Sequence, residues 1–168
     1  WSALEDAGYT PKQVSDAGVF MSASSMFERP ATPDDGRAPE ASEAYISWVL
    51  GQGGTIPTMI SHKLGLTGPS FFIQANCSSS LVGLYAAWQC LKSGEAAHAL
   101  VGGCTILPAT GIGYLHQDGL NFSSEGHIKA FDASADGMIG GEGVAVILLK
   151  RAIDAIRDSD HIYALLRG

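Results

Sequence analysis

Residues 69–91, PSFFIQANCSSSLVGLYAAWQCL, change period in the middle and place a thiol at the change. From Ser70 to Ala75 the run is short, aromatic and β-branched, bounded by Gly68-Pro69 and by Asn76, and it reads as a buried strand. From Ser78 onward Leu81, Leu84, Tyr85, Trp88 and Leu91 fall at helical spacing, while Val82, Ala86, Ala87 and Cys90 fill the opposite side. A helix apolar all round is expected in a core.

Cys77 therefore falls at a strand-to-helix junction. The N–H groups of a first helical turn lack partners inside the helix and the dipole there is positive, so a thiolate is stabilised. The same donors can hold the oxyanion of a thioester under attack, which joins an activated nucleophile to part of an oxyanion site. The alternative is that a free cysteine is among the most buried residue types and packs as a small hydrophobe. Position alone leaves both readings open.

Further strings carry a resemblance. Asn76-Cys77-Ser78-Ser79-Ser80-Leu81-Val82, the earlier Trp1-Ser2-Ala3-Leu4-Glu5-Asp6-Ala7-Gly8-Tyr9, and the later Gly126-His127-Ile128-Lys129-Ala130-Phe131-Asp132, Ala135-Asp136-Gly137 and Gly141-Glu142-Gly143 resemble the β-ketoacyl synthase (ketosynthase) domain of modular polyketide synthases in order and spacing. The resemblance runs over essentially the whole chain. One departure is Ala75-Asn76 before the cysteine, where the family commonly has Thr-Ala; it bears on the shape of the pocket and hence on substrate preference.

The resemblance implies an acyltransferase in which Cys77 is the catalytic nucleophile. Cys77 would accept an acyl chain from the phosphopantetheine arm of an acyl carrier protein, with no cofactor bound directly. The complete domain would extend that chain by decarboxylative Claisen condensation with a malonyl-type unit, in polyketide or fatty-acid biosynthesis. Two histidines of HGTGT-like and NxGH-like strings serve the decarboxylation in the family, and neither string occurs here. The catalytic histidines are thus expected outside this chain, since His116 and His127 stand in a different context. The implied fold is α/β and thiolase-like, two similar halves stacked as α-β-α-β-α layers. Residues 1–168 would be most of the first half, a partial domain truncated at both ends. The implied partners are an acyl carrier protein, other polyketide synthase domains and a second copy. In that homodimer the strand leading to the nucleophile pairs across a two-fold axis, and Phe71, Phe72 and Ile73 are apolar enough to lie there. The competing class is a non-catalytic ketosynthase-like partner that shapes a pocket; the retained Cys77 favours the enzyme.

Composition narrows the rest. A chain of 168 residues with 46% apolar content supports one hydrophobic core. A net charge of -7 argues against a nucleic-acid surface, which needs clustered Lys and Arg. Three cysteines, Cys77, Cys90 and Cys104, without metal-type spacing fit a reducing cytoplasm. Five scattered histidines indicate no metal site, and no apolar run approaches the ~20 residues of a membrane span.

In chain order, Trp1–Ala7 reads as the tail of a helix ended by Gly8, a start that suggests missing upstream sequence. Gly18–Ala23 reads as a strand, 24–41 as a loop, 43–50 and 56–64 as helices, the latter with Pro57 in its first turn. Residues 97–101 read as a second buried strand ending at Gly102-Gly103, with Cys90 and Cys104 as core thiols. Residues 107–126 read as loop. The glycines at 137–143 do not form GxGxxG and precede the strand-like 144–149, so backbone crowding, not a nucleotide site, is the expected reason for them. A helix at 150–158, apolar through Ala152, Ile153 and Ile156, and a strand at 162–166 complete the pattern. Strands alternating with helices predict a sheet covered on both faces.

Overall fold

The computed structural model describes residues 1–24, 40–106 and 113–167; most of the predicted 24–41 loop and the start of the 107–126 loop lie outside them. Helix α1 (Ser2–Asp6) and a 3-10 turn (Pro11–Val14) lead into β1 (Gly18–Ala23). Helices α2 (Ala41–Gly51) and α3 (Thr55–Leu64) precede β2 (Ser70–Phe72). Helix α4 (Ser79–Ser93), β3 (His98–Thr105), β4 (Gly143–Lys150) and α5 (Ala152–Arg157) follow. The strands form one sheet in the order β2-β1-β3-β4. The first three are parallel, and β4 runs antiparallel to β3.

Side-chain alternation explains why the sheet is covered twice. Val19 and Met21 of β1 and Leu100 of β3 point to a core closed by Leu4, Val14 and Leu66, with Ile56 and Ile60 of α3 against it. Phe20, Ala99 and Val101 point the other way, onto Ala87, Cys90 and Leu91 of α4. Strand β1, in the middle, is buried throughout, as its largely apolar composition predicts, with Ser22 bonded to the Gly102 carbonyl. Gly8, with φ 76°, and Gly65, with φ 67°, take left-handed conformations where α1 and α3 stop, which is the natural use of glycine past a helix end.

Several expectations are corrected. The predicted buried strand at 70–75 shrinks to the three residues of β2 on the sheet edge, where Phe71 is 55% exposed. Pairing on one side only leaves its outer face open. Helix α4 is not a core helix on all sides: its seat is made of Ser79, Gly83, Ala87, Cys90 and Leu91, while Leu81 and Tyr85 are 69% and 60% exposed. Small residues lie inward because they let the helix axis approach the sheet closely.

Strand β3 continues through the glycines to Thr105. A β-carbon on Gly102 would stand 2.7 Å from the Ala145 carbonyl oxygen and 2.8 Å from Val146, so the two-sided pairing of β3 requires glycine there. Crowding also holds at Gly137, which abuts the Phe122–Ser123 backbone, but it fails at Gly141 and Gly143, which face open space. Strand β4 is an apolar edge strand with Val144, Val146 and Ile147 exposed. On α5 it is Asp154 and Ala155 that are buried, with Ile153 and Ile156 outward. Asp154 pairs with Arg151 and Arg157 at 2.6 and 2.7 Å, both belonging to the same helix and its cap, so an internally ion-paired carboxylate, not an isoleucine, takes the buried side. Residues 162–166 form no strand; they line a cleft beside β4 without joining its ladder. Cys90 is a core thiol as expected, but Cys104, opposite Ala23 and Val144 at the end of β3, is only half-buried.

Candidate active site

After Phe72 the Ile73 amide makes a last bond to the Met21 carbonyl, at 2.8 Å, and the chain leaves the sheet. It reverses through Asn76, whose φ of 51° is left-handed, a region that Asn tolerates better than most residues carrying a β-carbon. Cys77 follows and is exposed. The turn then enters α4, with the Ser78 amide on the Ala75 carbonyl and the Ser79 amide on the Asn76 carbonyl, both at 3.1 Å.

Ser78, the cap position, makes no side-chain capping bond. Ser79 closes the turn instead. Its hydroxyl accepts the Ala75 amide at 2.8 Å, donates to the Asn76 carbonyl at 2.7 Å, and lies 3.2 Å from the Gln74 Oε1. Sequence reading passed over this residue, although a serine in a first helical turn is a recognisable signal for local side-chain-to-backbone bonding. The geometry also corrects the picture of free first-turn donors: the Ser78 and Ser79 amides are already engaged inside the turn.

The end of β3 reaches the same place. A β-carbon on Gly103 would stand 2.9 Å from the Ser22 hydroxyl and 3.8 Å from Ser80, so the C-terminal ends of β1 and β3 meet the start of α4. That is where α/β sheets place their sites. Leu81 and Tyr85, four and eight residues beyond Cys77, give the exposed side of α4 an apolar character beside the thiol.

The three thiols stand in different surroundings. Burial first, and the Glu95 carboxylate second, push the Cys90 thiol up, which keeps it protonated and unreactive. Cys77 alone is exposed and stands on a turn leading into a helix.

Of the predicted bystanders, His116 is exposed, with Nε2 3.2 Å from the Asp118 carboxylate, and His127 is exposed too. Among the described residues neither bonds to the Cys77 turn. The stretch that follows is organised by Asp136, which accepts the Ser123 hydroxyl at 2.9 Å and both the amide and hydroxyl of Ser124 at 2.9 and 2.5 Å. Those bonds, the Ser124 hydroxyl foremost, hold its carboxyl well below the usual carboxylate range. Asp132 is lowered likewise, by the Ser134 amide and then its hydroxyl.

A cleft of about 750 Å³ lies elsewhere, along β4, with Tyr9, Trp88, Lys150 and Tyr163 among its walls; no residue of the Cys77 turn lines it. There Lys150 bridges Asp158 and Asp160, both at 2.6 Å, and donates to the Tyr9 hydroxyl at 2.7 Å. Tyr9 in turn donates to Asp160 at 2.7 Å. This network ties α1 to the chain beyond α5 and is structural. Among the described residues no cluster of His, Cys, Asp and Glu could hold a metal ion, and no helix is long and apolar enough to cross a membrane.

Comparison with known proteins is specific. Residues 1–155 match the family of the β-ketoacyl synthase N-terminal domain. The polyketide synthase PksN of Bacillus subtilis (strain 168) is 63% identical over 169 residues, covering 100% of this chain and 3% of that protein. Ketosynthase twelve of the bacillaene polyketide synthase in Bacillus amyloliquefaciens superposes with a TM-score of 0.87 at 61% identity, over 97% of this chain and 28% of that one. The ketosynthase from module 1 of the bacillaene synthase of Bacillus amyloliquefaciens FZB42 gives 0.85 at 60% identity, over 100% of this chain and 29% of that one. The chain thus spans under a third of the solved domains it resembles.

Proposed function

The chain belongs to the β-ketoacyl synthase family, through its N-terminal domain and thiolase-like fold, and from that premise we propose that it is the acyl-accepting part of a polyketide-extending condensing enzyme. The observation that carries the proposal is the exposed Cys77 on a turn between the last sheet contact and α4. Its thiolate attacks the carbonyl of an acyl thioester presented on the phosphopantetheine arm of an acyl carrier protein. The tetrahedral oxyanion collapses, the carrier thiolate leaves and takes a proton, and the acyl chain rests on Cys77. Loss of carbon dioxide from a malonyl-type unit on a carrier then supplies the carbanion that attacks this thioester. The donors for that second step belong to the rest of the complete domain, since neither His116 nor His127 is bonded to the turn. Residues 1–168 are accordingly proposed as part of a larger domain, working in the cytoplasm with other synthase domains.

Edge strand β2 supports a homodimer of that domain. Among the described residues Phe71 lies in an edge strand paired only to β1 and is more than half exposed, so a second copy would cover it across a two-fold axis. Sedimentation as a monomer at micromolar concentration would count against this.

The decisive test of the chemistry uses the complete domain. An acyl N-acetylcysteamine thioester should add one acyl mass to the Cys77 peptide, and malonyl-loaded carrier protein should then yield a β-ketoacyl product. Cys77→Ala should lose both. Acylation that survives this substitution refutes the assignment.

A further inference from the structure

We propose that Ser79 is a positioning residue for Cys77, its hydroxyl holding the peptide plane from which the thiol projects. The inference rests on the reading of Cys77 as acyl acceptor and adds what orients it.

The carbonyl of Asn76 and the amide of Cys77 belong to one peptide unit, which is planar and here trans. Ser79 grips the oxygen of that unit twice, through its amide at 3.1 Å and its hydroxyl at 2.7 Å. With the oxygen turned toward the helix, the Cys77 N–H points to the opposite side of the plane, and the Cα–Cβ bond of Cys77 is oriented with it. The same hydroxyl accepts the Ala75 amide at 2.8 Å, so one side-chain oxygen ties the amide of the residue before Asn76 to the carbonyl of Asn76 itself. Asn76 needs this restraint because its φ of 51° lies in a sparsely populated region for a residue with a β-carbon. Ser79 is 8% exposed, so water does not readily replace it as partner. Ser78, nearer to the thiol in sequence, makes no such bond.

Acyl transfer is sensitive to this orientation because carbonyl attack requires the sulfur and the oxyanion donors to be in register. Simple alkylation by iodoacetamide requires only an accessible thiolate. The two reactions therefore separate positioning from exposure.

The experiment uses the complete ketosynthase domain carrying Ser79→Ala, Ser79→Thr, Asn76→Gly or Asn76→Val. Acyl loading from an N-acetylcysteamine thioester is followed by intact mass and resolved into kcat and KM; iodoacetamide alkylation is followed on the same samples. Ser79→Ala is expected to slow loading roughly 10- to 100-fold through kcat, as expected for a reacting group displaced by about an ångström. Alkylation should change by less than about threefold, and Ser79→Thr should restore loading. Asn76→Gly, which adopts positive φ freely, should load at least about 10-fold faster than Asn76→Val. Loading by Ser79→Ala within about threefold of the unsubstituted domain overturns the proposal, and so does an equal loss of loading and alkylation. Should Ser79→Ala not fold, the exposed Asn76 pair decides, because equal loading by Gly and Val removes any role for the held conformation. Cys77→Ala separates this inference from its premise: an unsubstituted domain that loads on Cys77 while Ser79→Ala is unaffected sinks the role of Ser79 alone, whereas loading without Cys77 sinks both.

Discussion

Substituting Gly68 by alanine should be the most damaging single methyl among the glycines around the strand that leads to Cys77. A β-carbon there would stand 2.3 Å from the Asp16 carbonyl oxygen and 2.5 Å from that of Ala17, both backbone atoms that no rotamer change can move. Reaching even 3.0 Å requires a retreat of at least 0.7 Å. The retreat is opposed on both sides, because the Thr67 amide and hydroxyl bond the Ser15 carbonyl at 2.7 and 2.9 Å and the Val19 amide bonds the Pro69 carbonyl at 2.7 Å. Overpacking of this kind costs about 3 kcal/mol, the upper end of its usual range. Two other glycines serve as controls. Gly65→Ala meets no atoms but must keep φ at 67°, which costs about 1 kcal/mol. Gly54→Ala meets open space at φ -59° and ψ -21°, a conformation alanine prefers, and should be neutral or stabilise by about 0.5 kcal/mol. Thermal melting of the complete domain should rank Gly68→Ala lowest, then Gly65→Ala, then the unsubstituted protein, with Gly54→Ala level or above. Because β2 begins two residues after Gly68, acyl loading on Cys77 should fall in the Gly68 variant and in neither control. A Gly68→Ala protein that melts with Gly54→Ala would refute the steric reasoning.

Iodoacetamide should label Cys77 first, Cys104 more slowly and Cys90 last, read by peptide mapping; early labelling of Cys90 would contradict its burial. Tyr9→Phe removes bonds to Asp160 and from Lys150 and should destabilise the domain by about 1–2 kcal/mol, seen as a lower denaturation midpoint. Because the Asp136 carboxyl is depressed in the folded state, its contribution is present above the unfolded value of about 4 and is lost as pH falls through the lower folded value. Protection of the Ser124 amide against hydrogen exchange should therefore hold from pH 7 to about 4, decline below, and be absent in Asp136→Ala at neutral pH. Expressed alone, residues 1–168 should bind apolar dyes through Trp48, Leu81, Tyr85 and their exposed neighbours and yield no β-ketoacyl product from malonyl-loaded carrier. Turnover would force a search for donors within this chain.

Elements with local signals were legible. α3 has Pro57 in its first turn and Gly65 at its end, and β1 carries the compact apolar run Val19-Phe20-Met21. The Cys77 junction was legible as a change of period. What failed depended on partners. Residues 162–166 have strand composition, but a strand exists only where another backbone accepts its bonds, and composition does not name that backbone. The large side chains of α4 give no sign of its orientation, because Gly83 and Ala87 face the sheet and can do so because they are small. Ser79 acts through backbone atoms three and four residues away, and Asp136 through serines 12 and 13 residues back; the first needs the turn's geometry to be seen, the second needs the fold.

The seating of α4 separates two jobs that a helix often has to share. Its inward residues, Ser79, Gly83, Ala87, Cys90 and Leu91, fix where the helix lies. Its outward residues Leu81, Val82 and Tyr85 bear little on that placement. Redesign can therefore treat the outer surface as replaceable panelling on a fixed frame: libraries varied at 81, 82 and 85 should retain the fold while altering what lies against the start of the helix. Position 83 has room for one methyl, its β-carbon standing 3.7 Å from Val101 and 3.8 Å from Ile73, but bulky side chains at 83 or 87 should mostly return misfolded protein, since they lift the helix from the sheet and carry Cys77 with it.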